Sequence, residues 1–197
     1  MNDLVSIVKE MRNPVDYLKV CKEEKDTLRK CVLCRKYLSS NQWSVLLEGY
    51  IKEKFKIKKA ENEVSGDGIS SLGKKIEIKV SLGGLDGGLN FVQIRPDHQI
   101  DYYLFLGYNL FEDELGKVYW FLCPSTQLYK LIPEYGGYAH GTISKLGKIS
   151  HENLCNRNCE YSLRPNPNKN KGCKSRELWD KMRSEFEVKE EDLFSLL

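Results

Sequence analysis

The chain has 197 residues, of which 41% are hydrophobic and 30% are charged, and its formal net charge is +3. This composition is ordinary for a globular protein and excludes a disordered chain, while the length favours one core domain with an appended subregion. No run approaches the roughly 20 apolar residues of a membrane span, and charges at Asp3, Lys9 and Glu10 argue against a secretory signal, so we expect a cytoplasmic protein without a membrane partner.

The N-terminal segment, residues 1–38, is predicted to be a small helical subregion. Apolar residues recur there at helical spacing, at Leu4, Ile7, Val8 and Met11. Pro14 follows an asparagine and suits the first turn of a new helix.

A stronger helix is predicted to begin near Ser39, because Ser39 and Gln42 have the spacing of a capping box. Its apolar stripe consists of Trp43, Leu46, Leu47, Tyr50 and Ile51. A stripe of this width predicts packing against a sheet.

The middle of the chain is predicted to be rich in β-strands. Glycines at positions 66, 68 and 73 precede residues 75–82, which alternate with period two and therefore predict a strand. Further β-rich runs lie at residues 91–95, 102–108 and 118–123, with a hairpin loop expected over residues 112–117. Ser125 is expected to cap a short helix through Leu131, and a final helix is expected from about Ser175.

This order of elements describes an α/β sandwich around a mainly antiparallel or mixed sheet. We expect residues 1–38 to be the helical subregion and residues 39–132 to be the core. Residues 133–197 are expected to add loops and a terminal helix to the same domain. The glycine motifs of nucleotide-binding folds are absent from the sequence.

The candidate chemistry lies in residues 66–81. On the predicted strand Glu77 and Lys79 share one face, and Asp67 precedes them in a glycine-flanked turn. Two carboxylates can hold Mg²⁺, which prefers oxygen ligands and polarises a phosphoryl oxygen during phosphodiester hydrolysis. Lys79 would hold the attacking water or stabilise developing charge. The alternative interpretation is that Glu77 and Lys79 form the solvated face of an amphipathic strand.

These residues resemble the motif of the PD-(D/E)xK nuclease superfamily, which includes most restriction endonucleases and several DNA-repair and recombination nucleases. In that family an Asp opens one strand of a hairpin and a Glu-x-Lys lies in the next strand, the positions of Asp67, Glu77 and Lys79. Gly66 stands where the family usually has proline. The resemblance covers roughly residues 40–125 and implies a restriction-endonuclease-like core, with a central mixed β-sheet flanked by helices.

The resemblance implies a Mg²⁺-dependent, type II-like restriction endonuclease that hydrolyses a specific double-stranded DNA sequence and leaves 5′-phosphates. Asp67 and Glu77 would bind the Mg²⁺. A homodimer is expected because one active site serves one strand. Two alternatives stay open: a structure-specific repair or recombination nuclease on the same core, and a non-catalytic or zinc-stabilised DNA-binding protein.

Supporting acidic residues are expected on the helix that precedes the motif. The family often has one there, and Glu48 matches that position, with Glu63 a weaker candidate for the same role. Glu48 also has the i, i+4 spacing of an ordinary surface pair with Lys52.

The strand predicted over residues 91–95 supplies two further candidates. Gln93 and Arg95 would share its face, and the resemblance suggests that this face continues the active-site side of the sheet. Gln93 could orient a water or a phosphate, and Arg95 could clamp a phosphate in a bidentate manner. An ordinary polar surface is the alternative. His98 is assigned no catalytic role.

The C-terminal third is predicted to contact DNA. Residues 157–176 carry six basic side chains and one acidic one, whereas residues 177–197 carry seven acidic and three basic ones. The candidate contacts are Tyr138, His140, Lys145, Lys148, Arg157, Arg164, Lys169 and Lys171. Asn153, Asn166 and Asn168 could also reach base edges. A solvated basic loop is the alternative.

The seven cysteines are expected to stay reduced in the cytosol. Cys31 and Cys34 have zinc-ligand spacing, and Cys155 with Cys159, or Cys173, could complete a structural zinc site. Small buried thiols explain the same residues equally simply.

Overall fold

The structure is a computed structural model that describes residues 40–84, 86–109, 112, 117–139, 147–156 and 159–197. The predicted subregion over residues 1–38 lies outside these ranges. The helices are α1 (Ser40–Lys54), α2 (Ser125–Tyr135), α3 (Lys174–Glu185) and α4 (Glu190–Leu196). The strands are β1 (Lys58–Lys59), β2 (Gly68–Ile69), β3 (Lys75–Leu82), β4 (Phe91–Ile94), β5 (Tyr102–Asn109), β6 (Lys117–Pro124), β7 (Gly137–Tyr138), β8 (Tyr161–Leu163) and β9 (Glu187–Val188).

A six-stranded mixed sheet forms the centre, in the order β1-β2-β3-β5-β6-β9. The pair β3 and β5 is parallel, and the other neighbours are antiparallel. The chain between β3 and β5 leaves this sheet and contributes β4 to a second sheet of order β4-β8-β7. The predicted mixed α/β architecture with a central sheet is therefore confirmed.

The two faces of the central sheet pack into separate apolar clusters. On one face Ile76, Ile78 and Leu104 contact Leu47 and Ile51 of α1 in what we call the helix-side core. The opposite face belongs to a cluster that we call the aromatic core, which includes Tyr103, Phe105, Phe121, Trp179 and Tyr161. Period-two alternation along each strand produces this division.

The predicted helix of residues 39–51 and the strand of residues 75–82 correspond to α1 and β3. Leu47 and Ile51 are fully buried, as the apolar stripe predicts. Leu46 is 42% exposed, so the buried stripe is narrower than predicted. Beyond it, Phe55 and Ile57 continue the buried surface toward β1.

The expectation for Ser125 is wrong in two respects. Pro124 is the N-cap residue and Ser125 is the first helical residue, with no side-chain capping bond. The helix also continues past Leu131 to Tyr135, because Leu131 and Ile132 are both buried in the aromatic core. Packing of this face sustains the last turn although it contains Pro133.

The C-terminal third contains elements that were not predicted. Strand β8 pairs with β4, and β9 pairs with β6 at the edge of the central sheet. The final helix predicted from Ser175 is α3, and α4 follows it with Leu193 and Leu197 buried in the helix-side core. Strands of two or three residues are too short to show a period in the sequence.

None of the helices in the described part of the chain has the length and apolar character that crossing a membrane requires.

Candidate active site

A cleft of about 1010 Å³ runs along one edge of β3. Strand β2 pairs with β3 only at Lys75 and Ile76, so within the described ranges no strand covers the rest of that edge. The predicted catalytic residues all line this cleft, together with Arg95: Glu48, Asp67, Glu77, Lys79 and Gln93. The fold therefore collects on one surface side chains from α1, β3, β4 and the turn before β2.

Asp67 is held against β3 by its own backbone and side chain. Its N–H donates to the Ile76 carbonyl at 2.9 Å, and its Oδ2 accepts from the Ile78 N–H at 2.7 Å. These two bonds lie on either side of Glu77 in the chain. The Asp67 carboxylate is thus fixed at the open edge of β3, next to the Glu77 position.

The flanking glycines allow this close approach. Gly66 has φ +81°, and a Cβ there would lie 2.7 Å from the Ile76 carbonyl oxygen. A Cβ on Gly68 would lie 2.6 Å from the Lys58 carbonyl oxygen. Any larger residue would push Asp67 away from β3, which explains the glycine before the Asp.

Glu77 and Lys79 share a face of β3, as predicted, and form an ion pair with 2.6 Å between Lys79 Nζ and Glu77 Oε1. Their side chains are only 11% and 15% exposed. Burial raises the pKa of Glu77, Lys79 opposes that rise, and the negative charge of Asp67 adds to it. A cation beside the two carboxylates would relieve this repulsion.

The donor set fits Mg²⁺ better than zinc. Within the described ranges, no three His, Cys, Asp or Glu residues lie close enough together to hold a metal ion by themselves. Mg²⁺ is usually bound by one or two carboxylates, with waters and substrate phosphate oxygens completing its octahedron. Asp67 and Glu77 supply such a pair, so the bound phosphate would have to complete the coordination.

Glu48 satisfies both interpretations of its position. Its carboxylate forms an ion pair with Lys52, one turn along α1, and its side chain is 30% exposed. Glu48 and Lys52 also line the cleft. Glu48 is consequently available to the site as part of a charge pair.

The predicted alternation over residues 91–95 is wrong, because β4 contains a bulge. Phe91 pairs with Leu163 and Ile94 with Tyr161, so one extra residue is inserted in β4. Val92 and Gln93 are both exposed toward the cleft, and Gln93 has φ +57°. A left-handed non-glycine residue is strained, and such strain is concentrated at functional sites.

Strand β4 also lies outside the central sheet, contrary to the expectation that it would continue the active-site face. It belongs to the second sheet, and its residues Val92 and Gln93 line the cleft. Gln93 and Arg95 therefore reach the cleft from the second sheet and not from a neighbouring strand of the central sheet.

Arg95 already has two carboxylate partners. Its Nε and Nη2 donate to Glu160 Oε1 at 2.9 and 2.7 Å, and its Nη1 donates to Glu63. The guanidinium nevertheless lies close enough to Glu77 to lower its pKa. Neither Glu63 nor Glu160 was predicted to contact Arg95, since both lie far from it in the chain.

His98 lines the cleft although the sequence assigned it no role. Its Nδ1 is buried and makes no hydrogen bond within the described part of the chain. An unpaired buried nitrogen typically costs about 1 to 3 kcal/mol, so this nitrogen is a place where a water or a ligand would find a polar partner. A single histidine in a turn has no periodic signal by which it could have been found.

The predicted DNA contacts are spread over several surfaces. Arg164 is exposed and donates to Asn90 Oδ1 at 3.2 Å, on the rim of the cleft. Lys169 pairs with Asp86, and the Tyr138 ring stacks on Tyr161. Exposed positions are also found for Lys148 and Lys171. The candidates His140, Lys145 and Arg157 lie outside the described residues.

Two of the predicted base-reading amides are used inside the fold. Asn166 is 4% exposed, and its Nδ2 donates to Asp86 Oδ2 at 2.9 Å. Asn168 Nδ2 donates to the Asp86 carbonyl at 3.0 Å. Together with Lys169 they fasten the glycine-rich loop that follows β3, so Asn166 does not face DNA. Asn153 similarly donates to the Lys148 carbonyl.

A second group of cations was missed by the sequence analysis. Lys56, Lys58 and Lys59 are exposed around β1, and Lys59 lines the cleft. Within the described ranges none of the three forms an ion pair, and we call this group the lysine rim. The alternation of lysine with apolar residues over 52–59 is the signal that could have revealed it.

The zinc prediction stays a prediction. Cys155 is an exposed thiol and Cys159 is a buried thiol. Cys31 and Cys34 lie outside the described residues.

Comparison with protein-family models, with curated proteins and with solved structures found no match to this chain.

Proposed function

We propose that this protein is a Mg²⁺-dependent DNA endonuclease of the type II restriction kind. The observation that carries the proposal is the convergence of Asp67, Glu77 and Lys79 at the open edge of β3. Two carboxylates and a lysine are half-buried or buried there without serving the apolar core. Buried charges contribute little to stability, so their retention favours a chemical role.

Each residue has a distinct task in this proposal. Asp67 and Glu77 would hold the cation, which when bound would supply Lewis-acid polarisation of the scissile phosphate and a more acidic water. Lys79, positioned by its contact with Glu77, stabilises the charge that develops on the phosphoryl oxygens or holds the attacking water. Gln93 and Arg95 line the same cleft and orient the phosphate.

Nucleic acid is the substrate class that the surroundings favour. The cleft is open, its lining is largely polar or charged, and exposed cations adjoin it at Lys59 and at Arg164. Cations placed beside a hydrolytic site can neutralise the phosphates that flank the scissile one. Sequence specificity and a homodimer, each protomer cutting one strand, belong to the same proposal.

The test is cleavage of supercoiled and linear plasmid DNA by the full chain in Mg²⁺, followed by mapping of the fragment ends. Discrete fragments with 5′-phosphate ends at one recurring sequence are expected. Cuts only at junctions or mismatches would replace restriction with a structure-specific nuclease. Cleavage that is equally fast in Asp67→Asn would contradict the site, as would no cleavage in Mg²⁺ or Mn²⁺.

A further inference from the structure

The guanidinium of Arg95 is shared between two unequal carboxylates. Glu160, which accepts from Nε and Nη2, has a side chain that is 14% exposed, whereas the side chain of Glu63 is 79% exposed. Glu160, which is sheltered from solvent, is therefore the permanent partner of Arg95, and Glu63, which is solvated, is the replaceable one. Exposed ion pairs are worth only about 0 to 1 kcal/mol.

The backbone around both Arg95 and Glu63 is fixed. The Arg95 carbonyl accepts from the His98 N–H at 3.1 Å and from the Tyr103 hydroxyl at 3.3 Å. Glu63 begins a 3₁₀ turn that Asn62 caps by accepting from the Ser65 N–H. Replacement of the Glu63 partner therefore needs only a side-chain rotation, with no movement of the chain.

We propose that Glu63 is an internal stand-in for a substrate phosphate, holding Arg95 Nη1 until a phosphodiester oxygen displaces it. Glu160 keeps the guanidinium aimed into the cleft throughout, and the Nη1 edge is passed from carboxylate to phosphate. An Arg guanidinium suits both anions, because its planar array of donors fits carboxylate and phosphate oxygens alike. The identification of the phosphate as DNA rests on the proposed function.

This arrangement makes Glu63 a positioning residue and a competitor of the substrate. While Glu63 occupies Nη1, the cleft carries no uncompensated cation at that point. When a phosphate arrives, the Glu63 carboxylate returns to water at little cost, since it is already largely solvated. The outcome is a site that is preorganised for a phosphate yet neutralised in its absence.

The experiment compares Glu63→Gln with Glu61→Gln. Both residues are exposed and line the cleft, and both changes remove one negative charge. Of these two glutamates, only Glu63 contacts Arg95 among the described contacts. Affinity for a short DNA duplex is measured without added divalent cation, so that the bound DNA stays uncut. Glu63→Gln should bind about two- to fivefold more tightly than Glu61→Gln, which corresponds to about 0.4 to 1 kcal/mol.

A double-mutant cycle completes the test. In an Arg95→Ala background the difference between the two glutamate variants should vanish, because the competed group is gone. Equal effects of Glu63→Gln and Glu61→Gln would overturn the proposal. So would a difference that persists without Arg95, or a fall in melting temperature in Glu63→Gln with no gain in affinity.

Failure of the nuclease proposal can be told apart from failure of this one. If the wild type neither binds nor cuts DNA, inorganic phosphate is titrated instead and followed by NMR at the Arg95 Nε–H. Saturation at a lower phosphate concentration in Glu63→Gln than in Glu61→Gln supports displacement, whatever the natural substrate is. Identical titrations overturn it.

Discussion

The two faces of β3 bury different kinds of side chain. On the helix-side face Ile76 and Ile78 are buried against α1. On the other face Glu77 and Lys79 are nearly as buried, yet they pair with each other, and the charge of Asp67 acts on Glu77, in place of an apolar core. The side chains on the two faces are buried to a similar extent, but those on one face are apolar and those on the other are charged.

The apolar residues on one face therefore stabilise the fold, whereas Glu77 and Lys79 on the other face are positioned by it. Apolar burial stabilises by roughly 25 cal/mol per Å², whereas a buried ion pair is often neutral or destabilising relative to apolar side chains. Substitutions on the two faces should therefore affect different measurements.

Removal of either carboxylate charge should reduce Mg²⁺-dependent cleavage to background. Asp67→Asn keeps an oxygen that can accept from the Ile78 N–H, and Glu77→Gln keeps one for Lys79, so folding should be retained. The loss follows because neutral amides bind Mg²⁺ poorly. Plasmid cleavage and DNA binding are measured together, and binding should be largely intact. Asp97→Asn, an exposed residue outside the cleft lining, is the control that should cleave normally.

Truncation on the apolar face should lower stability without a specific effect on chemistry. Ile76 is fully buried, so Ile76→Ala should reduce the free energy of unfolding by about 2 to 5 kcal/mol. Denaturant unfolding is the measurement, with Leu72→Ala, 60% exposed, as the matched control that changes little. A stable Ile76→Ala protein would mean that the helix-side core does not support β3.

Lys79→Ala should slow cleavage at least about a hundredfold at saturating Mg²⁺, or about 2.7 kcal/mol in the barrier. Its ammonium is held 2.6 Å from Glu77 and its side chain is 15% exposed, whereas Lys74 is exposed just before the strand. Single-turnover rates of Lys79→Ala and Lys74→Ala provide the comparison. Comparable damage from both changes would show that this face of β3 is an ordinary surface.

Neutralisation of the lysine rim should weaken DNA binding at all sequences. Lys59→Gln should flatten the dependence of log K on log salt by about one unit, and Lys58→Gln with Lys59→Gln by about two. Arg164→Gln tests the opposite rim in the same way. Lys130→Gln, exposed on α2 and absent from the cleft lining, should leave the slope unchanged. Unchanged slopes in all variants would mean that DNA does not lie across this cleft.

Relief of the backbone strain at Gln93 should increase the stability of the protein and slow its cleavage of DNA. Gln93→Gly removes a left-handed non-glycine residue and should raise the free energy of unfolding by up to about 1 kcal/mol, while cleavage slows. Lys56→Gly is the control, since Lys56 has a similar φ of +54° but does not line the cleft. It should gain stability and keep its cleavage rate at saturating DNA, where weaker binding by the lysine rim does not limit the rate. Faster cleavage by Gln93→Gly would contradict a role for the amide.

The local features of the site could be predicted from the sequence alone. Period-two alternation in β3 predicted which face carries Glu77 and Lys79, because side chains alternate along any extended strand. The glycines around Asp67 predicted a turn, and the apolar stripe of α1 predicted the burial of Leu47 and Ile51. Each of these features depends on residues within a few positions of one another.

The contacts between segments that are distant in the chain depend on the tertiary structure and could not be predicted from the sequence. The partners of Arg95 lie 32 and 65 residues away, and Asn166 is buried against a loop 80 residues before it. The bulge at Gln93 exists because β4 pairs with β8, a strand that has no sequence signal of its own. Alternation is fixed by the geometry of a single backbone, whereas pairing depends on which surfaces the complete fold brings into contact.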